Sequence, residues 1–202
     1  HHAVDQGGMA ERKALRHAIE IAWRTPIVRD RKPEVKDEAE HIYSMLFRDE
    51  VLFSMIERDD FPVPFYVRSW VGGDKDGHPG VDEKTLLQSL TLSRQSLLHV
   101  IQSELAAIKQ TLELFSSAPL QEKVARTNQI LRKLKLIGAG DAKKVRAFKD
   151  ALSRLKADYQ KSVGSVHPQL HRISLLLKAF PALVVPLELR ESSDVLMTPT
   201  AQ

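Results

Sequence analysis

Residues 69–80 read Ser-Trp-Val-Gly-Gly-Asp-Lys-Asp-Gly-His-Pro-Gly, and no other stretch of the chain packs so many chemistry-bearing side chains so closely. Asp74, Lys75, Asp76 and His78 stand almost side by side, behind Ser69 and Trp70. Gly72, Gly73, Gly77 and Gly80 allow positive φ and close backbone approach, while Pro79 fixes one more dihedral, so the loop has a prescribed shape suited to binding. An EF-hand calcium loop is excluded: counted from Asp74, the sixth position is Pro79 instead of glycine and the twelfth is Thr85 instead of glutamate. A phosphate-cradling P-loop is excluded too, because no Gly-Lys-Ser/Thr follows at the required spacing. Among the histidines, His167 and His171 are four apart, but Pro168 lies between them and no carboxylate is near, so no metal is expected there.

The elements that must hold this loop are helical. Leu15, Ile19, Ala22 and Trp23 recur at three to four residues, predicting an amphipathic helix over about 9–24 that Pro26 ends. Asp37, with Glu40 three residues on, has capping-box spacing, and Ile42, Leu46, Phe53 and Ile56 continue one face, predicting a second helix over about 38–58. Pro62 and Pro64 would remove two ladder donors from an interior strand, so 61–67 reads as an extended lead-in. Beyond the loop, Asp82 is placed to cap a long helix over about 83–115, with Leu86, Leu90, Leu97, Ile101, Leu105, Ile108, Leu112 and Phe115 as its apolar stripe. Pro119 opens a helix carrying Val124, Leu131, Leu134 and Ile137, Gly138-Ala139-Gly140 stops it, and Asp141 caps another to about 162. These two form an antiparallel hairpin, and a shorter helix follows over about 168–180. Residues 183–190 are the one good strand candidate, and the sequence offers them no partner. A lone strand edge leaves its ladder unmade, which implies either an extended tail or a sheet supplied by a larger protein.

Composition narrows the classes further. The chain has 202 residues, enough for one sizeable core, a formal net charge of +4 and no cysteine, which excludes disulfides, thiolate metal ligands and a cysteine nucleophile. No apolar run reaches the eighteen or so residues that span a bilayer and no secretory leader is visible, so the natural reading is a cytoplasmic protein without a membrane partner. Residues 1–8 read as a tag remnant, a flexible leader or a polar native loop. Between Glu122 and Lys161, twelve Lys/Arg face four acids. Because apolar residues recur there at helical spacing without interleaved aromatics, the bases read as solvated helix faces, and a nucleic-acid partner is not expected.

The loop also carries a resemblance. It is similar to the Ser-Trp-Met-Gly-Gly-Asp-Arg-Asp-Gly-Asn-Pro signature of phosphoenolpyruvate carboxylases, agreeing at eight of eleven positions, with Val71, Lys75 and His78 in place of Met, Arg and Asn. Upstream, Trp23-Arg24-Thr25, Arg31-Lys32-Pro33 and Asp37-Glu38-Ala39 resemble that family's Trp-x-Thr, Arg-x-x-Pro and Asp-Glu-Ala run. Near the C-terminus, Phe180 followed by Arg190-Glu191-Ser192-Ser193 resembles its Phe-Gly…Arg-Gln-Glu-Ser strand end, although Pro186 stands for an arginine and Ser192 for a glutamate. The region from about 115 to 175 matches only as helix.

The resemblance implies a mainly α chain, the helical segment of an α/β barrel protein with one short strand near its C-terminus, divided as 1–8, a helical domain over 9–180, and strand and tail over 181–202. It implies an enzyme that joins bicarbonate to phosphoenolpyruvate with Mg²⁺ or Mn²⁺, releasing phosphate and oxaloacetate, and that forms homo-oligomers. It places Trp70 at the phosphoenolpyruvate site and Arg190 on the substrate phosphate, flanked by the signature residues Ser69, Gly72, Gly73, Asp74, Lys75, Asp76, Gly77 and Pro79. On sequence alone Trp70 reads equally as a buried anchor of the loop. The family's Thr-Ala-His-Pro-Thr-Glu histidine motif, its His-Gly-Arg-Gly-Gly loop and its metal-binding acids are not in this sequence. The chain alone is therefore expected to be inactive and to bind no metal. The alternative is a short non-catalytic helical binding or scaffolding module derived from the same family.

Overall fold

A computed structural model describes residues 2–25, 33–57, 66–75, 80–114 and 117–190, which fall into two compact units, His1–Pro33 and Glu34–Gln202. Among the described residues there are seven helices and no regular strand, so the chain is mainly α.

Among its described residues the first unit holds one helix, α1 (His2–Arg24), which begins seven residues before the expected start at 9. It stops at Thr25, whose N–H and hydroxyl both donate to the Ile21 carbonyl, as the residue before a proline is pushed out of helical geometry.

In the second unit, the predicted 38–58 helix is two: α2 (Val35–Leu46) and α3 (Asp49–Ile56). The cap lies one turn earlier than expected, with Asp37 at the third helical position accepting from the Glu34 N–H at 2.9 Å. The break at Phe47–Arg48 redirects the chain so that Tyr43 and Phe47 before it, and Leu52 and Phe53 after it, all reach the core. Helix α4 (Glu83–Leu114) follows the expected bounds and is capped by Asp82, which exchanges 2.7 Å hydrogen bonds with Thr85 in both directions. This helix runs through the middle of the unit, packing on α2, on α5 (Ala118–Arg132) and on α7 (Pro168–Ala179). Its buried residues therefore spread beyond one stripe, adding Leu98 and Val100 to Leu97, Ile101, Leu105, Ile108 and Leu112. Phe115 lies outside the described residues.

Helix α6 (Asp141–Val163) packs along α5, and the basic residues between 122 and 161 mostly stand on exposed faces of the pair. One expected cap is corrected. Gly140, with φ 73°, is the N-cap of α6, and Asp141 is its first helical residue, with its carboxylate turned inward to Arg94. Helix α7 is capped by His167, whose Nδ1 accepts from the Gln169 N–H.

Candidate functional site

The signature loop begins as a tight turn. The Gly73 and Asp74 N–H groups both donate to the Trp70 carbonyl, at 2.9 and 3.1 Å, and Gly72 takes φ 84°, the value that the third position of a type II turn requires. A side chain at Gly72 would also meet the Ser89 Cβ at 2.8 Å. The second glycine is needed for a different reason: a Cβ on Gly73 would run into the Glu188 carbonyl oxygen. The Gly-Gly pair thus serves one left-handed turn and one close backbone crossing.

That crossing partner is the segment for which the sequence offered no mate. Ser69 N–H donates to Pro186 O at 3.0 Å, Glu188 N–H to Ser69 O at 2.8 Å, Arg190 N–H to Gly73 O at 2.9 Å and Lys75 N–H to Arg190 O at 3.0 Å. The result is two isolated parallel bridges, Ser69 with Leu187 and Asp74 with Arg190, in place of a free strand. The turn between the two bridges interrupts the ladder, which is why no regular strand forms. Pro186 is tolerated because only its carbonyl is used.

The loop is locked from beneath by hydroxyls. Ser89 Oγ donates to the Val71 carbonyl at 2.6 Å, so the 3.0 Å contact with Tyr43 has the tyrosine O–H donating to Ser89. Val71 is buried, at the position where the resemblance has another apolar residue, and Ser69 Oγ accepts from the Val71 N–H. Trp70 is not a core anchor: it is 50% exposed and lines a groove with Val35, Glu38, Val71, Gly72, Asp74 and Val81. Arg190 is exposed, with Nη1 3.6 Å from Asp74 Oδ2 and Nη2 3.8 Å from Glu188 Oε2. Lys75 is half-buried. Asp76, Gly77 and Pro79 lie outside the described residues, as do residues 61–65 of the lead-in and Ser192.

Sequence reasoning missed Arg94, a charged residue within the apolar stripe of α4. It is 2% exposed and uses all five of its N–H donors. Two go to the Asp141 carboxylate at 2.9 Å, and the others to the carbonyls of Leu134, Ala182 and Leu183. The legible signal was a charge at a core position of a helix, which stays buried only when it is fully paired.

Among the described residues no three histidine or acidic side chains converge to hold a metal ion, so they offer no donor set for the Mg²⁺ or Mn²⁺ that the resemblance implies. No described helix is long and apolar enough to cross a membrane.

Comparison with known proteins assigns the class. The family model described as phosphoenolpyruvate carboxylase matches residues 4–174, and the chain belongs to this family. It is 35% identical to a phosphoenolpyruvate carboxylase of Xanthomonas euvesicatoria pv. vesicatoria over 105 residues, 45% of this chain and 12% of that protein. It is 34% identical over 96 residues to one of Caulobacter vibrioides, covering 42% of this chain and 10% of the relative. A Corynebacterium glutamicum phosphoenolpyruvate carboxylase is 26% identical over 222 residues, spanning 92% of this chain and 22% of its own. The chain thus spans between a tenth and a quarter of the length of these relatives. No solved structure matches.

Proposed function

We propose that this chain forms one wall of the substrate site of a cytoplasmic, homo-oligomeric phosphoenolpyruvate carboxylase, the enzyme that joins phosphoenolpyruvate to bicarbonate and releases oxaloacetate and phosphate. The observation that carries this reading is the backbone pairing that brings Arg190 onto the signature loop, beside Asp74 and four residues from Trp70. Arg190 grips the phosphate of phosphoenolpyruvate through its guanidinium fork. Its carboxylate neighbours stand at 3.6 and 3.8 Å, longer than the 2.7–2.9 Å or so of tight charged hydrogen bonds, so they aim the guanidinium and leave donors for a ligand. Trp70 closes over the bound substrate and keeps water from it. Acid–base chemistry and metal activation belong to motifs that this sequence does not contain, so the chain alone does not turn over.

The test is the protein read in frame beyond Gln202. Continuation into the arginine-glycine loop and the metal-binding acids, with oxaloacetate formation in a coupled assay, is the expected result. In that protein Arg190→Ala removes charge-assisted hydrogen bonds of about 1.5–3 kcal/mol, or roughly tenfold to a hundredfold in KM or turnover. A stop codon, or kinetics indifferent to both Arg190→Ala and Trp70→Ala, overturns the reading in favour of a non-catalytic module.

A further inference from the structure

The two segments of the candidate site are held by one face of one helix. Ser89 of α4 donates to the Val71 carbonyl of the loop. One turn later, Ser93 Oγ accepts from the Val185 N–H at 3.3 Å, at the base of the segment that ends in Arg190, while its own proton goes to Leu90 O at 2.9 Å. The next residue, Arg94, holds the Leu183 and Ala182 carbonyls at 2.9 and 2.8 Å. All three side chains are buried. Leu183 has φ 56°, a left-handed conformation that a leucine keeps only when its surroundings hold it there. The Arg94 Nε–H to the Leu183 carbonyl is such a hold.

The spacing matters. Four residues of helix rise about 6 Å, close to the roughly 4.8 Å between neighbouring paired strands. Two anchors one turn apart can therefore hold two adjacent extended segments side by side. The loop and the 185–190 segment share few backbone bonds of their own, so their register needs an outside reference.

We propose that Ser89, Ser93 and Arg94 are positioning residues that set the register of Arg190 against the signature loop, with Asp141 orienting Arg94 from α6. The inference uses the proposed function only to say why that register matters; its test reads backbone pairing with no substrate present, so the two fail independently.

The experiment is amide hydrogen exchange by NMR on the full chain, comparing Ser93→Ala, Asp141→Asn and Arg94→Lys with the unaltered protein. The Glu188 and Arg190 amides, donors to Ser69 O and Gly73 O, report the register. The Leu152 amide, in the middle of α6, reports global stability. Ser93→Ala leaves the buried Val185 N–H unsatisfied and is expected to speed exchange at Glu188 and Arg190 by about tenfold, with Leu152 following to the extent that global stability falls. Asp141→Asn is expected to act in the same direction, and Ser93→Thr, which restores a hydroxyl, to return exchange toward its starting rate. Acceleration at Leu152 alone, or none at Glu188 and Arg190 in both Ser93→Ala and Asp141→Asn, overturns the proposal. If Arg94→Lys does not fold, Ser93→Ala and Asp141→Asn decide alone.

Discussion

Asp74 and Arg190 are joined twice, by a parallel backbone bridge and by an ion pair of 3.6 Å between their side chains. The backbone sets the distance and the side chains then meet with little freedom left. A carboxylate in the signature loop thereby orients a guanidinium that enters from the far end of the chain.

The glycines of the loop are separable by experiment. Gly72→Ala meets both a positive φ and the Ser89 Cβ, and Gly73→Ala meets the Glu188 carbonyl. Each is expected to cost about 1–3 kcal/mol in urea unfolding. Gly140→Ala, strained in φ but with open space around it, should cost about 1 kcal/mol. Gly138→Ala, with neither constraint, should be close to neutral.

The Arg94–Asp141 pair should behave as a buried unit. Arg94→Met strands the Asp141 carboxylate and the Leu134, Ala182 and Leu183 carbonyls, at an expected cost of about 3–5 kcal/mol. The Arg94→Met/Asp141→Asn double variant should lose clearly less than the two single losses added together. Strict additivity in a double-mutant cycle would count against the pair.

His167 gives the fold a pH dependence. Burial against the Tyr159 ring holds its imidazole below the usual histidine pKa, and the neutral ring caps α7 through Nδ1. With the folded pKa depressed, the stabilisation is present above the unfolded value of about 6.5 and is lost as pH falls below it. His167→Asn keeps a capping acceptor that does not titrate. Its melting temperature should change less than that of the unaltered chain between neutral pH and pH 5.

Glu104 should act in the opposite sense. Burial in α4 raises its pKa despite Arg172 at 3.7 Å, with Asp49 and Glu57 adding like charge, and its Oε2 has no hydrogen-bond partner among the described residues. With the folded pKa raised, the favourable contribution is complete below the unfolded carboxyl pKa and is lost as pH rises through the folded value. Glu104→Gln should therefore gain stability relative to the unaltered chain as pH rises from acidic to neutral, read as the difference in melting temperature across that range.

Periodicity was enough to place α4 and α6, because long apolar stripes are local signals, and Pro168 marked the start of α7. It failed at Phe47–Arg48, where neither glycine nor proline marks the break and only packing of Phe47 and Phe53 on the core calls for a turn. Asp141 looked like a cap because its acceptor chemistry is right for one; nothing local reveals that Arg94, in another helix, takes its carboxylate. The glycines of the signature were legible as shape. Their reasons, a serine beneath one and a distant carbonyl against the other, exist only after the chain has folded back on itself. The pairing of 69–75 with 185–190 was invisible for the same reason, since two segments with a handful of shared hydrogen bonds carry no alternating pattern.

That pairing also orders events during folding. Parallel neighbours need a crossover, and here the crossover is α4, α5, α6 and α7 together. Closing so long a loop before those helices pack would lose conformational entropy with few contacts in return. Helices built on local contacts form early, whereas long-range pairings wait. Arg190 is therefore expected to reach the signature loop late in assembly, so that Arg190→Ala speeds unfolding and leaves the folding rate nearly unchanged.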